Sequence, residues 1–207
     1  MEKAKIIEVL KSLRDEEDKR KFNQTVDLII NLKDFDIKRE SVNLFVDLPH
    51  KIKDKKVAAF LEKKSSIIDS IPKQEFEQYK NKKAVKGLVK EYDFFISAAN
   101  LMPLVAATFG KYLGPAGKMP SPQLGILKTE TDIEIKKLVE KIDKNARIKS
   151  KEPSLKFSIG KEDMKDEDIA ENVLTAYNAV LNALPRKKEN LKNVMIKLTM
   201  GKPKKIE

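Results

Sequence analysis

Leu155-Lys156-Phe157-Ser158-Ile159-Gly160 and Val194-Met195-Ile196-Lys197-Leu198 alternate apolar and polar residues near the end of this 207-residue chain. That period of two is the signature of strands with one buried face. Between them, Ile169, Val173, Tyr177, Val180, Leu181 and Leu184 form one helical stripe, stopped by Pro185. Asp166 is read as its cap, with Glu167 and Asp168 in the first turn, where acids suit the helix dipole. Two strands and one helix cannot bury a core alone. The complement lies at the other end of the chain. Ile6, Ile7, Leu10 and Leu13 predict an amphipathic helix over 3–18, and Val26, Leu28, Ile30 and Leu32 predict a strand. Leu44, Val46 and Leu48 predict another, stopped by Pro49, with Asp34–Ser41 between the two as a loose hairpin.

The expected fold is therefore mixed α+β and α/β. A discontinuous split β-α-β domain, residues 1–50 plus 147–207, holds a four-stranded sheet with two helices. A second domain is inserted at 51–146, and two connections make a hinge plausible there. In the insert, Val57–Leu61 is a short apolar run, Pro72 opens a helical stretch, and a lysine-rich helix leads to the apolar run Phe94–Ala98. A helix over Leu101–Tyr112 and another from about Thr129 to Lys144 follow. Strands alternating with helices suggest a small parallel sheet, a Rossmann-like three-layer domain.

Leu113-Gly114-Pro115-Ala116-Gly117-Lys118-Met119-Pro120-Ser121-Pro122 concentrates two glycines, three prolines and a lysine. Proline lacks a donor and glycine loses entropy on ordering, so the segment reads as a stiff exposed loop offering amides and a cation. It is not a phosphate loop. That pattern needs Gly-Lys followed by Ser or Thr after a strand, and here Met119-Pro120 follow a helix.

The chain carries 43 basic and 32 acidic residues, a net charge of +11. The nets are −1 for 1–50, +7 for 51–146 and +5 for 147–207. Such a surplus favours a polyanionic partner. No apolar run approaches the length of a membrane span, and no signal peptide opens the chain, so a cytoplasmic protein without a membrane partner is expected. With no cysteine and one histidine, disulfides, thiolate catalysis and cysteine or histidine metal centres are excluded. His50 reads as a surface or hinge residue hydrogen-bonded to backbone. Neither a nucleophile with a base nor a cofactor fingerprint is legible, so no enzyme activity and no cofactor are expected.

Three polar, donor-rich patches fit polyanion binding better. Lys21-Phe22-Asn23-Gln24-Thr25 stands where a helix hands over to a strand. Ser158, Gly160 and Lys161 end a strand and begin a turn, leaving backbone donors to use. Thr199-Met200-Gly201 ends the last strand, where glycine permits close approach of another backbone. A nucleotide-dependent enzyme on the inserted domain is one rival reading, and a non-specific nucleic-acid binder is another.

Phe94-Phe95-Ile96-Ser97-Ala98 with Leu101-Met102-Pro103, the 113–120 segment, Lys21–Val26, Leu48-Pro49-His50 and Lys197–Gly201 together resemble the ribosomal protein L-one family of the large subunit. The likeness keeps motif order nearly end to end, and the Gly-Lys-Met-Pro form is similar to archaeal members. The resemblance implies a ribosomal protein, monomeric off the ribosome, that binds rRNA of the mobile stalk and touches deacylated tRNA at the exit site. It also implies repression of its own operon through a similar fold in the mRNA leader. The same resemblance assigns RNA contacts to Lys21, Phe22 and Thr25, to Ser158, Gly160 and Lys161, and to Thr199, Met200 and Gly201. Lys111, Gly114, Gly117 and Lys118 are implied as a secondary contact. Ala116 stands where arginine is common in the family, which removes one phosphate-binding cation, and 56–92 matches the family poorly.

Overall fold

The computed structural model describes residues 2–16, 21–36, 39–40, 42–150 and 152–206. The chain divides into two compact units, 1–53 with 144–207, and 54–143. The fold is mixed α and β, with a separate sheet system in each unit.

The first unit begins with α1 (Lys3–Glu16) and β1 (Thr25–Leu32). Residues 17 and 18, the end of the expected first helix, lie outside the described residues. Next come β2 (Asn43–Asp47) and, after the second unit, β7 (Asn145–Lys149), β8 (Ser154–Lys161), α5 (Asp166–Ala183), β9 (Leu191–Leu198) and β10 (Lys204–Lys205). β1 is a central strand, antiparallel to β8 on one side and to β9 on the other, and β10 pairs with the far edge of β9. Its inward residues Val26, Leu28, Ile30 and Leu32 are buried, while Thr25, Asp27, Ile29 and Asn31 take the opposite, partly open face. Ile6, Leu10 and Leu13 of α1 and Ile169, Val173 and Val180 of α5 close the core with Leu155, Ile159, Val194 and Ile196. Each such side chain contributes roughly 1.5–3 kcal/mol on burial.

Two expectations for this unit are corrected. β1 and β2 do not form a hairpin. β2 pairs instead with β7 in a separate two-stranded sheet, from Asn43 opposite Lys149 to Asp47 opposite Asn145. The pair is secured at one end by Val42 N–H to Ser150 Oγ and Ser150 N–H to Val42 O, and at the other by an Asn145–Asp47 side-chain hydrogen bond. The fourth strand of the main sheet is thus β10, not β2. Nor is Asp166 the cap of α5. It is the first helical residue, Lys165 precedes it without a side-chain cap, and the Asp166 carboxylate pairs with Arg14 at 2.9 Å.

The second unit contains β3 (Val57–Leu61), β4 (Asp69–Pro72), a 3-10 helix (Lys73–Lys80), α2 (Lys82–Glu91), β5 (Phe94–Ala98), α3 (Met102–Ala116), β6 (Ile126–Leu127) and α4 (Asp132–Lys144). The sheet is parallel in the order β4-β3-β5-β6. All five residues of β3 are buried, as expected where both faces of a parallel sheet are covered. Ala58 and Phe60 join the cluster built by α2 and α3. There Phe60, Phe76 and Phe109 meet with ring centroids 4.9–5.6 Å apart, two of the three pairs edge-on. On the other face, Leu61 lines a cleft with Ile135 of α4, and Val57 another with Val139.

The glycine- and proline-rich segment is also not what its composition suggests. α3 runs through Leu113, Gly114 and Pro115 to Ala116. Val105, Phe109 and Leu113, spaced four apart and fully buried, carry the apolar stripe past Tyr112 and hold the last turn in place. Gly117, at φ 69°, then ends the helix, donating to Gly114 O at 2.9 Å while Lys118 N–H donates to Leu113 O at 3.0 Å. This is the paired bonding of a Schellman cap, in which a left-handed glycine satisfies the last carbonyls.

Candidate nucleic-acid interface

The sheet of the first unit brings three distant segments to one end. Thr25, the first residue of β1, is opposite Lys161 at the end of β8, and Val26 is opposite Leu198 at the end of β9. Residues 21–25, 158–161 and 199–201 are therefore neighbours. A single hydroxyl locks two of them together. Thr199 Oγ1 accepts from Thr25 N–H at 2.9 Å and donates to Thr25 O at 3.2 Å, extending the β1–β9 ladder by one rung with a side chain. Gly201 N–H donates to Leu198 O at 3.0 Å, so Leu198–Gly201 is a tight turn with Thr199 and Met200 at its tip.

Gln24 holds the third segment. Its side chain is buried, its Oε1 accepts from Met200 N–H at 3.1 Å, its N–H donates to Glu162 Oε2 at 3.3 Å, and its carbonyl accepts from Glu162 N–H at 2.9 Å. The turn after β8 is fastened from below. Arg14 of α1 donates to Met164 O at 2.7 Å, Met164 N–H to Lys161 O at 3.1 Å, and Lys161 N–H to Met164 Sδ at 3.4 Å. Above this framework Phe22 and Met200 project into solvent, 51% and 61% exposed. Both are large apolar side chains at strand ends that the Thr25–Thr199 and Gln24–Met200 hydrogen bonds join.

The surroundings are cationic, with Lys21 and Lys202 exposed and Lys161 half-buried. Asp27 faces Ser158 on β8 and Lys197 on β9. Burial pushes its carboxyl above the usual range, and the Lys197 ammonium works against that shift.

Sequence reading missed the positions that hold the surface together. Gln24 was legible in principle, since it is in phase with inward-facing Val26, Leu28 and Ile30. Arg14 and Glu162 left no such trace. Gly160 does not turn the chain, because β8 continues through it to Lys161. It is buried, and a Cβ there would meet Ile169 Cγ1 and Met164 Sδ at 3.2 Å. Its glycine therefore serves packing of the strand on α5.

The secondary candidates lie on the second unit. Lys111 and Gly114 are on exposed positions of α3, and Gly117 is its cap. Lys118 is no free cation on a loop. Its ammonium donates to Val89 O and Tyr92 O, both at 2.7 Å, closing the end of α2. His50 belongs to neither group. Its N–H donates to Asn172 Oδ1 at 3.0 Å and its Nε2 lies 2.9 Å from Glu171 Oε2. Among the described residues no cluster of three or more acids or histidines suits a metal ion, and no helix is long and apolar enough to cross a membrane.

Comparison with known proteins bears on the same segments. The sequence model of the Ribosomal protein L1p/L10e family matches residues 11–202, a span that includes all three strand-end segments. The chain belongs to the ribosomal protein L1p/L10e family. Large ribosomal subunit protein uL1 of Thermococcus kodakarensis is 37% identical, over 100% of this chain and 98% of that protein. The proteins of the same name from Pyrococcus abyssi and Pyrobaculum neutrophilum are 36% and 38% identical, covering 100% and 90% of this chain. They span 97% and 86% of their own lengths. The L1p/L10e family is one of ribosomal proteins and not of enzymes, so the nucleotide-dependent enzyme reading is set aside.

Proposed function

We propose that this protein is a structural constituent of the large ribosomal subunit that binds rRNA of the mobile stalk through the ends of β1, β8 and β9. The observation that carries the proposal is the exposure of Phe22 and Met200 at strand ends that the Thr25–Thr199 and Gln24–Met200 hydrogen bonds join. Such a surface reads folded RNA by shape. Flat or flexible apolar side chains cover sugar or base faces, while backbone groups, hydroxyls and lysines meet 2′-hydroxyls and phosphates. Lys21, Thr25, Ser158 and Lys161 supply the polar contacts, and Gly201 leaves room for the RNA backbone. Gly160 contributes by letting β8 lie close to α5.

The same reading extends to two further roles, assisting deacylated tRNA to leave the exit site and repressing its own operon through the mRNA leader. Both rest on family membership and on one RNA-binding surface serving two similar RNA folds. The unit 54–143 takes a secondary RNA contact through Lys111 and Gly114 at the exposed end of α3. A competition titration at physiological salt tests the central claim, using the protein, the stalk rRNA fragment and excess unrelated structured RNA. Binding that survives the competitor is expected. Binding that vanishes would make the chain a polyanion binder governed by charge alone.

A further inference from the structure

The parallel sheet of the second unit has its topological switch point between β3 and β5, because β4 lies beyond β3 and β6 lies beyond β5. At such a point the chain leaves adjacent strands in opposite directions and opens a crevice at their carboxyl ends. A cavity of about 450 Å³ lies there, lined by residues 61–65 after β3, 98–100 after β5 and 128–130 after β6, with Asp132 and Ile135 of α4. That volume falls within the range of small-ligand sites.

Its lining carries the carboxylates of Glu62, Glu130 and Asp132 and the ammoniums of Lys63, Lys64 and Lys128. The Glu130 carboxylate accepts from Glu62 N–H at 2.9 Å, and Asp132 Oδ1 accepts from the Ser65 hydroxyl at 3.3 Å. Lys64 is paired outside the cavity with Glu75 at 2.7 Å. Lys63 and Lys128 make no ion pair among the described residues, so theirs are the positive charges open to a ligand. Ala98 and Ala99 add small apolar side chains to the lining. Two ammoniums, carboxylates and small apolar side chains match three parts of one molecule. Phosphate suits the lysines, a vicinal diol suits a carboxylate as acceptor, and a planar base suits the alanines.

We propose that this crevice binds a free ribonucleoside monophosphate. The loop after β3, Glu62-Lys63-Lys64-Ser65, has no glycine, and the backbone N–H groups of Glu62 and Ser65 are already bonded to Glu130 and Ser70. Phosphate is therefore held by side-chain ammoniums and not by a backbone cradle. Binding is correspondingly weak and salt-sensitive.

The test is an amide chemical-shift titration of the full-length labelled protein with AMP. Resonances of 62–65, 98–100 and 128–132 are expected to move while those of 22–25 and 199–201 stay. The paired substitutions Lys63→Ala and Lys128→Ala, in a protein whose remaining spectrum is unchanged, should weaken AMP about tenfold. Inorganic phosphate and 2′-deoxy-AMP should bind more weakly than AMP. No movement at these amides with millimolar AMP overturns the proposal, as does phosphate binding as tightly as AMP. An end-blocked RNA hexamer that displaces AMP would assign the crevice to RNA and overturn the free-nucleotide reading. None of these outcomes touches the rRNA surface, which is read at separate resonances.

Discussion

Thr199 Oγ1 and the backbone of Thr25 exchange two hydrogen bonds, at 2.9 Å and 3.2 Å, across 174 positions of sequence. The hydroxyl is spent inside the protein, where it fixes the Met200 turn in register with β1. Thr199→Val keeps the shape and removes both bonds, and should cost about 1–2 kcal/mol of stability, since one partial hydrogen bond contributes roughly 1 kcal/mol. Thr199→Ser should restore most of it. Urea unfolding of the three proteins measures the difference, and equal midpoints would show the pair to be idle.

Phe22 and Met200 should behave in the opposite way. Being largely exposed, each can be replaced by Ala with a stability change within about 0.5 kcal/mol. Affinity for the stalk rRNA fragment should fall by about 1–3 kcal/mol per residue, the range of a lost stacking contact. Unchanged rRNA affinity in both variants would refute the placement of the interface.

Glycines 160 and 110 should respond with opposite sign to the same substitution. Gly160→Ala puts a methyl 3.2 Å from Ile169 and from Met164, and overpacking of this kind costs roughly 1–3 kcal/mol. At Gly110, inside α3, nothing lies within 4 Å of the added carbon. Gly110→Ala should therefore gain up to about 1 kcal/mol from helix propensity. Thermal unfolding of each variant decides both signs.

Glu171 accepts from Lys3 at 2.8 Å and lies 2.9 Å from His50. The Lys3 hydrogen bond, followed by His50, lowers its carboxyl from 4.5 to about 2. A depressed acid stabilises the fold above its unfolded value and loses that contribution as pH falls from about 4.5 towards 2. Because the group is exposed, the contribution is screened by salt. A carboxyl NMR titration should find Glu171 ionised well below pH 4, and Lys3→Ala should move its midpoint upward.

Much of this architecture is legible in the chain because its strands are long and half-buried. Val26 to Leu32, Leu155 to Ile159 and Val194 to Leu198 repeat apolar residues at every second position, interrupted by Ile29 and Met195 on the other face, and each becomes a strand of the first unit. What escapes is short or polar. β7, Asn-Ala-Arg-Ile-Lys, has only Ala146 and Ile148 to carry an alternation, and β10 consists of two lysines. Pairing partners escape as well, since the register of β2 with β7 is set by tertiary packing over a hundred residues away. The Gly-Pro end of α3 was misread because breakers were weighed above the stripe Val105, Phe109, Leu113. At the proposed RNA surface the exposed residues are visible in sequence. Of the residues that organise them, Gln24 alone was in phase to be seen.

Because β1 lies between β8 and β9, it gains its first sheet partner only when Ser154–Lys161 has been made and its second only when the chain has reached Leu198. The residues of the 54–143 unit, contiguous and with their own aromatic core, emerge long before that. At synthesis rates of about 5–20 residues per second, Val26, Leu28 and Ile30 wait on the order of 10 s for both neighbours. This sheet is thus the last part to be completed as the protein is translated, and its apolar central strand needs shielding in the interval.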